Sequence, residues 1–124
     1  QSLYGGTFSA IADYDLLSWA VESARSNNFK NHVGNILSSD TFYGYRPEAW
    51  KKWANLGVMG VEMEAYALYA TAAELKKKAL AICTVSDSFL FKKILTPQER
   101  QEGLDNMVKV ALDVAMKYNA CHTK

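Results

Sequence analysis

Along this chain, segments with the apolar periodicity of a helix alternate with short runs of consecutive apolar residues. Asp13 is a suitable N-cap for a helix that runs to about Asn27, because the apolar residues after it recur at the spacing of one helix face. These apolar residues are Leu17, Ala20, Val21 and Ala24. The segment His32–Ser39 has the length of a short strand. The first third of the chain therefore predicts a helix followed by a strand.

The centre of the chain repeats this alternation. Pro47, at a first-turn position, starts a brief helix that contains two tryptophans. The string GVEMEA, residues 60–65, follows an apolar stretch around Val58 and leads into a helix that ends near Lys78. The apolar face of this helix consists of Ala65, Leu68, Tyr69 and Ala72. Two acids in such an apolar setting mark this string as a candidate for chemistry.

The last part of the chain contains the clearest strand and the clearest helix start. The string ALAICTV, residues 79–85, is apolar on both faces and predicts a central parallel strand covered by helices. Thr96, Pro97 and Glu99 supply an N-cap, a first-turn proline and a capping-box partner. The residues expected on the buried face of this last helix are Leu104, Met107, Val108, Ala111, Leu112 and Ala115.

The alternation of strands and helices predicts the α/β fold class. In open α/β sheets, ligands collect beyond the carboxyl ends of the strands. Three polar clusters follow predicted strands, at Ser38–Tyr43, Glu62–Glu64 and Ser86–Asp87. We expect these three loops to lie at one edge of the sheet and to form one pocket.

Each polar cluster also has a purely structural interpretation. The pair Phe42–Tyr43 is compatible with a loop anchored in the core. Glu62 and Glu64 are compatible with acids favoured at a helix N-terminus, and they lie on the same side of the chain if the segment is extended. Asp87 is compatible with a loop cap, and Arg100 with a solvated position one turn into a helix. No single cluster decides between structure and function.

Composition restricts the class of protein. The chain has 124 residues, 49% hydrophobic and 22% charged, with a net charge of +1, which favours one globular domain and gives no field that attracts a polyanion. The only basic run, Lys76–Lys78, complements the end of a helix dipole. Two cysteines make neither a disulfide framework nor a metal quartet, and no apolar stretch has the roughly 20 residues of a membrane helix. We expect a soluble, cytoplasmic protein with reduced thiols.

The motif strings, taken together, point to a family. The strings SSDTFY, GVEMEAYALYATAAE, ALAICTVSD and ERQEGLDNMVKVAL resemble, in this order and spacing, the C-terminal half of the hexameric, bacterial-type purine nucleoside phosphorylases. The resemblance extends from about Phe8 to Ala115. VEMEA is shared across the nucleoside phosphorylase superfamily, including uridine phosphorylases and methylthioadenosine nucleosidases, whereas TVSD followed by ERQ narrows the match to the purine branch.

This resemblance implies a three-layer α/β/α fold with a mixed central sheet, of which residues 1–124 form the C-terminal half of a single domain. It implies a homohexamer that uses phosphate as co-substrate and needs no cofactor or metal. The chain begins at Gln1 without an initiator methionine, and we expect it to be part of a longer polypeptide. The missing partner would be the N-terminal half, which carries the phosphate-binding residues of the family.

The resemblance also implies a role for each residue of the sugar and base sites. Glu64 accepts hydrogen bonds from the ribose 2′ and 3′ hydroxyls, Met63 packs against the sugar, and Glu62 is a supporting acid on the same side. Phe42 lies against the purine, and Val61 helps to line the base site. These five residues are therefore expected to bind substrate.

Three further residues act on the base in this family. Ser86 and Asp87 approach the purine edge, with Asp87 as the general acid toward N7, and Arg100 interacts with Asp87 when the site closes. Protonation of N7 relieves the negative charge that builds on the departing base, and it needs an acid that still holds its proton. Ser88 stands where family members usually have a histidine.

The implied reaction is the reversible phosphorolysis of purine (deoxy)ribonucleosides in purine salvage. Two alternatives stay open at this point. One is a nucleosidase of the methylthioadenosine type, which uses water in place of phosphate. The other is a binding fragment that keeps the nucleoside site without the chemistry.

Overall fold

The computed structural model describes residues 4–41, 48–88 and 93–123. Its four helices are α1 (Tyr14–Ser26), α2 (Ala49–Asn55), α3 (Ala65–Glu74) and α4 (Pro97–His122). Its strands, over the same described residues, are β1 (Asn35–Ser38), β2 (Val58–Glu62), β3 (Asp87–Ser88) and β4 (Lys93–Ile94). Helices and a parallel strand pair confirm the α/β class. None of the described helices combines the length and apolar character needed to cross a bilayer.

The described residues separate into two compact units. The first unit comes from Gln1–Ala12 and His32–Ala79, and the second from Asp13–Asn31 and Leu80–Lys124. The first unit therefore holds β1, β2, α2 and α3, and the second holds α1, α4, β3 and β4. The VEMEA acids belong to the first unit, whereas the TVSD string and Arg100 belong to the second.

The first unit is organised by the parallel pairing of β1 with β2. The register sets Leu37 opposite Val61 and Ser38 opposite Glu62, and it shifts once near the start of β1. The Ser39 N–H extends the pairing by donating to the Glu62 carbonyl at 2.9 Å. Since parallel strands end on the same side, Ser38 and Glu62 lie together at the carboxyl edge of the pair.

The second unit is built on the packing of α1 against α4. Its buried core residues are Ala20, Ala24, Val110 and Val114, with Leu16, Trp19, Phe29, Leu80 and Ile82 packed around them. The Ser23 hydroxyl donates to Asp113 at 2.7 Å, and the Lys109 ammonium does so at 2.5 Å. These hydrogen bonds hold the pKa of the Asp113 carboxyl below its ordinary value although it is partly buried, and the bond from Lys109 has the largest effect. The α1–α4 contact thus combines an apolar centre with a charged border.

The predicted helix starts of α1 and α4 are confirmed. The Asp13 carboxylate accepts the Leu16 N–H at 3.0 Å. At α4, the Thr96 hydroxyl accepts the Glu99 N–H at 3.1 Å, and the Glu99 carboxylate accepts the Thr96 N–H at 2.8 Å. Both helix starts depend on local sequence patterns, because each capping residue lies within three residues of the residue that it binds.

Helix α3 ends earlier than the sequence predicts. It stops at Glu74, and Lys76 adopts a left-handed conformation with φ of 53°. The Lys77 N–H then donates to the Ala72 carbonyl at 2.7 Å, which closes the helix end in the manner of a Schellman motif. The basic run Lys76–Lys78 therefore follows the helix and does not lie in its last turn.

The predicted central strand at residues 79–85 is wrong for this structure. This run lies outside every helix and strand of the described chain. A central strand needs hydrogen-bonded neighbours on both edges, and each sheet among the described residues has two strands only. Leu80 and Ile82 are instead packed against the α1–α4 core, so the apolar character of the run serves side-chain packing.

The buried face of α4 also differs from the predicted one. Val110 and Val114 are buried, whereas Leu104, Val108 and Leu112 are 44%, 46% and 58% exposed. Both faces of this helix carry apolar residues, so the sequence pattern alone does not decide which of them contacts α1. Tertiary packing against α1 determines which face of α4 is buried.

Candidate functional site

The carboxylate of Glu62 holds the start of α3. One of its oxygens accepts the N–H groups of Glu64 and Ala65, at 2.6 and 2.5 Å. The other oxygen accepts the Ser38 hydroxyl, and the Ser38 oxygen in turn accepts the Tyr66 N–H at 2.9 Å. A helix leaves its first N–H groups without partners inside the helix, and these two side chains supply partners for them.

The electrostatics of Glu62 favour its ionised form. Partial burial raises the pKa of this carboxyl, but hydrogen bonds from the Ser38 hydroxyl and from nearby backbone N–H groups outweigh that effect. The pKa therefore lies below its ordinary value. A negative charge at this place also interacts favourably with the positive end of the α3 dipole.

Glu64 differs from Glu62 although the two are only two residues apart. Its side chain is exposed and does not cap α3. Met63 beside it is 45% exposed, while Ala65 after it is buried. The junction between β2 and α3 thus presents one carboxylate and one thioether to solvent and uses the other carboxylate for hydrogen bonds to the backbone.

Two more residues define the surroundings of this junction. Val61 is half-buried in β2, opposite Leu37 in the parallel pair. The rings of Phe8 and Tyr66 meet edge to face, with centroids 6.2 Å apart, which packs the first described segment against the start of α3. Phe42, the residue predicted to lie against a purine, falls outside the described residues.

The Ser86–Asp87 pair lies in the second unit, at the start of the short antiparallel pair of β3 and β4. Asp87 is opposite Ile94, and the Leu95 N–H donates to the Ser86 carbonyl at 3.2 Å. The Asp87 side chain is exposed, and its bond from the Ser86 hydroxyl is long, at 3.4 Å. Asp87 follows the run at residues 79–85 that was predicted to be a buried strand, and the structure leaves its side chain in solvent.

A close contact fixes the backbone of the TVSD string on α4. The Thr84 hydroxyl donates to the Gly103 carbonyl at 3.0 Å. A Cβ atom at Gly103 would lie 2.5 Å from the Thr84 methyl group, so glycine is needed for this approach. Asp87 and Arg100 each lie three residues from this contact, one on each segment. Within the described part of the chain they form no ion pair with each other, and Arg100 is exposed.

The structure therefore groups the predicted site residues in two sets. Val61, Glu62, Met63 and Glu64 share the β2–α3 junction, and Ser86, Asp87 and Arg100 share the second unit. Ser38 had a place in a polar cluster but no role of its own. The register of β1 against β2 sets Ser38 opposite Glu62, and two hydrogen bonds of its hydroxyl bridge Glu62 and α3. Among the described residues, no three His, Cys, Asp or Glu side chains are grouped as metal ligands are.

Residues 2–118 match a family model described as the Phosphorylase superfamily. The chain belongs to the phosphorylase superfamily. The match covers both the VEMEA junction and the TVSD and ERQ strings, which carried the resemblance in the sequence. The resemblance to this superfamily is thereby confirmed.

Curated relatives are similar over most of the chain. It is 46% identical over 112 residues to purine nucleoside phosphorylase DeoD-type 2 of Vibrio cholerae, and 48% identical over 113 residues to purine nucleoside phosphorylase DeoD-type of Clostridium beijerinckii. These matches cover 90% and 91% of the chain. The chain spans about half the length of these relatives, 48% in both cases.

A solved structure supports the same superfamily fold. The chain matches the structure of the P. knowlesi homologue of P. falciparum PNP with a TM-score of 0.76 and 26% sequence identity. The match covers 93% of this chain and 46% of that one. The superfamily fold is therefore shown for nearly all of this chain and for about half of its relative.

Proposed function

We propose that this chain supplies the nucleoside-binding part of a purine nucleoside phosphorylase. The reaction converts a purine (deoxy)ribonucleoside and phosphate, reversibly, into the free base and (deoxy)ribose 1-phosphate. The observation that carries the proposal is the β2–α3 junction, where Glu64 is exposed beside a firmly capped helix start in a chain of this superfamily. The names of the relatives, at 46% and 48% identity, support the purine branch.

Glu64 and Met63 act on the sugar in this proposal. An ionised carboxylate accepts hydrogen bonds from two vicinal hydroxyls at once, and bonds to a charged acceptor are stronger than neutral ones. The same charge stabilises the positive character that the ribose gains as the glycosidic bond breaks. The exposed thioether of Met63 supplies the apolar contact beside the diol.

Ser86, Asp87 and Arg100 act on the base. Asp87 gives its proton to purine N7, so that the base leaves without a full negative charge. Arg100 then stabilises the carboxylate that is left. In the described chain the two side chains are exposed and form no ion pair with each other, so in this proposal they approach one another only when the site closes. The resemblance assigns Val61 and Phe42 to contact with the purine as well.

The remaining features of the proposal concern the whole protein. No residue of this chain is assigned to phosphate, and the proposal assigns phosphate binding to the part of the relatives' length that the chain does not span. A homohexameric assembly, a place in purine salvage, a cytoplasmic location and independence from any cofactor belong to the same proposal. They rest on the resemblance of the motif strings.

Phosphate dependence tests the proposed reaction. The protein, purified with any polypeptide that accompanies it, is incubated with inosine in the presence and absence of phosphate. We expect hypoxanthine and ribose 1-phosphate to form only with phosphate. Equal release of free ribose in both samples would establish a nucleosidase instead. Binding of inosine without release of base in either sample would establish a non-catalytic module.

A further inference from the structure

We propose that Glu62 is a positioning residue and not a ligand of the sugar. Together with Ser38 it fixes the start of α3, and it thereby holds Glu64 in the place where the ribose diol is bound. The inference rests on the proposed function in one respect, which is that Glu64 receives the diol. It assigns Glu62 a different task from the substrate binding that we expected of it from the sequence.

The hydrogen bonds of Glu62 leave little capacity for a substrate. Its Oε2 atom accepts two backbone N–H groups, from Glu64 and Ala65, at 2.6 and 2.5 Å. Its Oε1 atom accepts the Ser38 hydroxyl. Both oxygens are therefore engaged within the protein. A sugar hydroxyl that bound Glu62 would compete with bonds that begin a helix.

The backbone of Glu64 is held on both sides as a result. Its N–H donates to Glu62, and its carbonyl accepts the Leu68 N–H at 3.0 Å in the first turn of α3. With both peptide groups bonded, the direction in which the Glu64 side chain leaves the backbone is set before a ligand arrives. Such preorganisation reduces the cost of ordering a side chain on binding.

Ser38 connects this arrangement to the parallel strands. It lies opposite Glu62 in the β1–β2 register, donates to the Glu62 carboxylate and accepts the Tyr66 N–H at 2.9 Å. The position of α3 relative to β1 therefore depends on two side chains that never need to touch the substrate. Loss of the Ser38 or the Glu62 side chain should therefore weaken the binding of the diol by Glu64.

Two substitutions at Glu62 separate positioning from direct contact. Glu62→Asp withdraws the carboxylate by one carbon–carbon bond, about 1.5 Å, yet an aspartate still accepts N–H groups two and three residues later. Glu62→Gln keeps the length of the side chain, but it removes the charge and presents an amide donor to backbone donors. A positioning residue tolerates Asp better than Gln, whereas a sugar ligand suffers from both.

The readout is the preference of the full chain for inosine over 2′,3′-dideoxyinosine, measured by isothermal titration calorimetry. We expect wild type to prefer inosine and Glu64→Gln to lose that preference. Glu62→Gln should lower the preference about tenfold, the scale of one hydrogen bond to a charged group. Glu62→Asp should stay within about threefold of wild type. In the Glu64→Gln background, Glu62→Gln should have no further effect on the preference, because it acts through Glu64.

Amide hydrogen exchange in the ligand-free chain gives a second readout. Glu62→Gln should speed exchange at the Glu64 and Ala65 amides, and Glu62→Asp should do so much less. Equal damage to the inosine preference by Asp and Gln, or additive losses in the double variant, would overturn the inference and make Glu62 a sugar ligand. Unchanged exchange at both amides would also overturn it. A wild-type chain without preference for inosine would instead refute the assignment of the diol to Glu64.

Discussion

The β2–α3 junction and the β3–α4 region are organised in different ways. At the junction, Glu62 and Ser38 bind three backbone N–H groups, and Glu64 projects from a fixed helix start. In the β3–α4 region the Thr84 hydroxyl donates to the Gly103 carbonyl, which anchors the chain before Asp87 to α4. The side chains of Ser86, Asp87 and Arg100, which are proposed to act on the base, are exposed, and Asp87 and Arg100 form no ion pair with each other among the residues that the structure describes.

This difference matches the two tasks in the proposed reaction. A diol is neutral and binds to a carboxylate that can be fixed in advance. A general acid and its stabilising cation must stay apart until the proton has moved, because an early ion pair would favour loss of that proton to solvent.

The largest effect, on the reaction rate, is expected from substitution of Asp87, the proposed acid toward the base. Asp87→Asn removes the proton donor, and general acid catalysis is typically worth ~10² to 10⁴ in rate. We expect phosphorolysis of inosine by the active protein to fall by at least about 10²-fold, with little change in thermal stability, since the side chain is exposed. Steady-state assays and thermal melts measure the two quantities.

A substrate that needs no proton provides the control. The purine of 7-methylguanosine already carries a positive charge at the imidazole ring, so its departure does not require an acid at N7. The Asp87→Asn protein should keep most of its rate with this substrate. An equal loss with both nucleosides would show that Asp87 has a structural role and is not the acid.

The next largest effect, on stability, is expected at the contact between Thr84 and Gly103. Gly103→Ala forces a methyl group to within 2.5 Å of the Thr84 methyl, and overpacking of this kind costs typically about 1–3 kcal/mol. We expect a lower free energy of unfolding in chemical denaturation, although alanine is the better helix former.

The matched variant removes the clash and keeps the hydrogen bond. Thr84→Ser retains the hydroxyl that donates to Gly103 but lacks the methyl group. In this background, Gly103→Ala should be neutral or stabilising by up to about 1 kcal/mol. A loss of the same size in both backgrounds would mean that this contact does not determine the choice of glycine.

A smaller effect is expected on the sugar side. Ser38→Ala deletes the acceptor of the Tyr66 N–H and one donor to Glu62, which should cost about 1 kcal/mol of unfolding free energy. The neighbouring Ser39→Ala is the control, since the Ser39 hydroxyl makes exposed bonds within its own loop, donating to the Thr41 carbonyl at 2.8 Å and accepting the Thr41 N–H at 3.3 Å. Denaturation of both variants compares them. Equal stability would argue against a Ser38 bridge.

The smallest effect is expected in the dependence of thermal stability on low pH. The pKa of Glu62 is lowered in the folded chain, so its contribution to stability is present above the ordinary glutamate value of about 4.3 and is lost as pH falls through the lower folded value. The melting temperature should therefore fall below about pH 4, and Glu62→Gln should show a flatter fall. The lowered pKa of Asp113 adds a loss of the same sign in both proteins. Identical acid profiles would contradict the assigned hydrogen bonds.

Local patterns in the sequence predicted the parts of the fold that depend on near neighbours. The Asp13 cap and the Thr96–Glu99 capping box were found because each involves residues three apart. The strand at residues 79–85 and the buried face of α4 were wrong, since both depend on which distant surface is adjacent. An apolar run tells that a segment packs, but not what it packs against.

The same distinction holds for the candidate site. The VEMEA and TVSD strings assigned roles to Glu64 and Asp87 by resemblance, and these roles stay predictions. The bond between Ser38 and Glu62 spans 24 positions and follows from strand register, which no local pattern encodes. The exposure of Asp87 is likewise a tertiary property, because the run before it does not form the predicted central strand in the described chain.

Residue-specific binding of nucleosides to the isotope-labelled chain tests the comparison most directly. Two-dimensional amide spectra are recorded during titration with inosine and with 2′,3′-dideoxyinosine. We predict that inosine shifts the Glu64 and Ala65 signals in a saturable way, and that the dideoxy compound shifts them much less, because the diol binds at the preformed junction. Equal shifts with both ligands, or shifts confined to Asp87 and Arg100, would contradict the account.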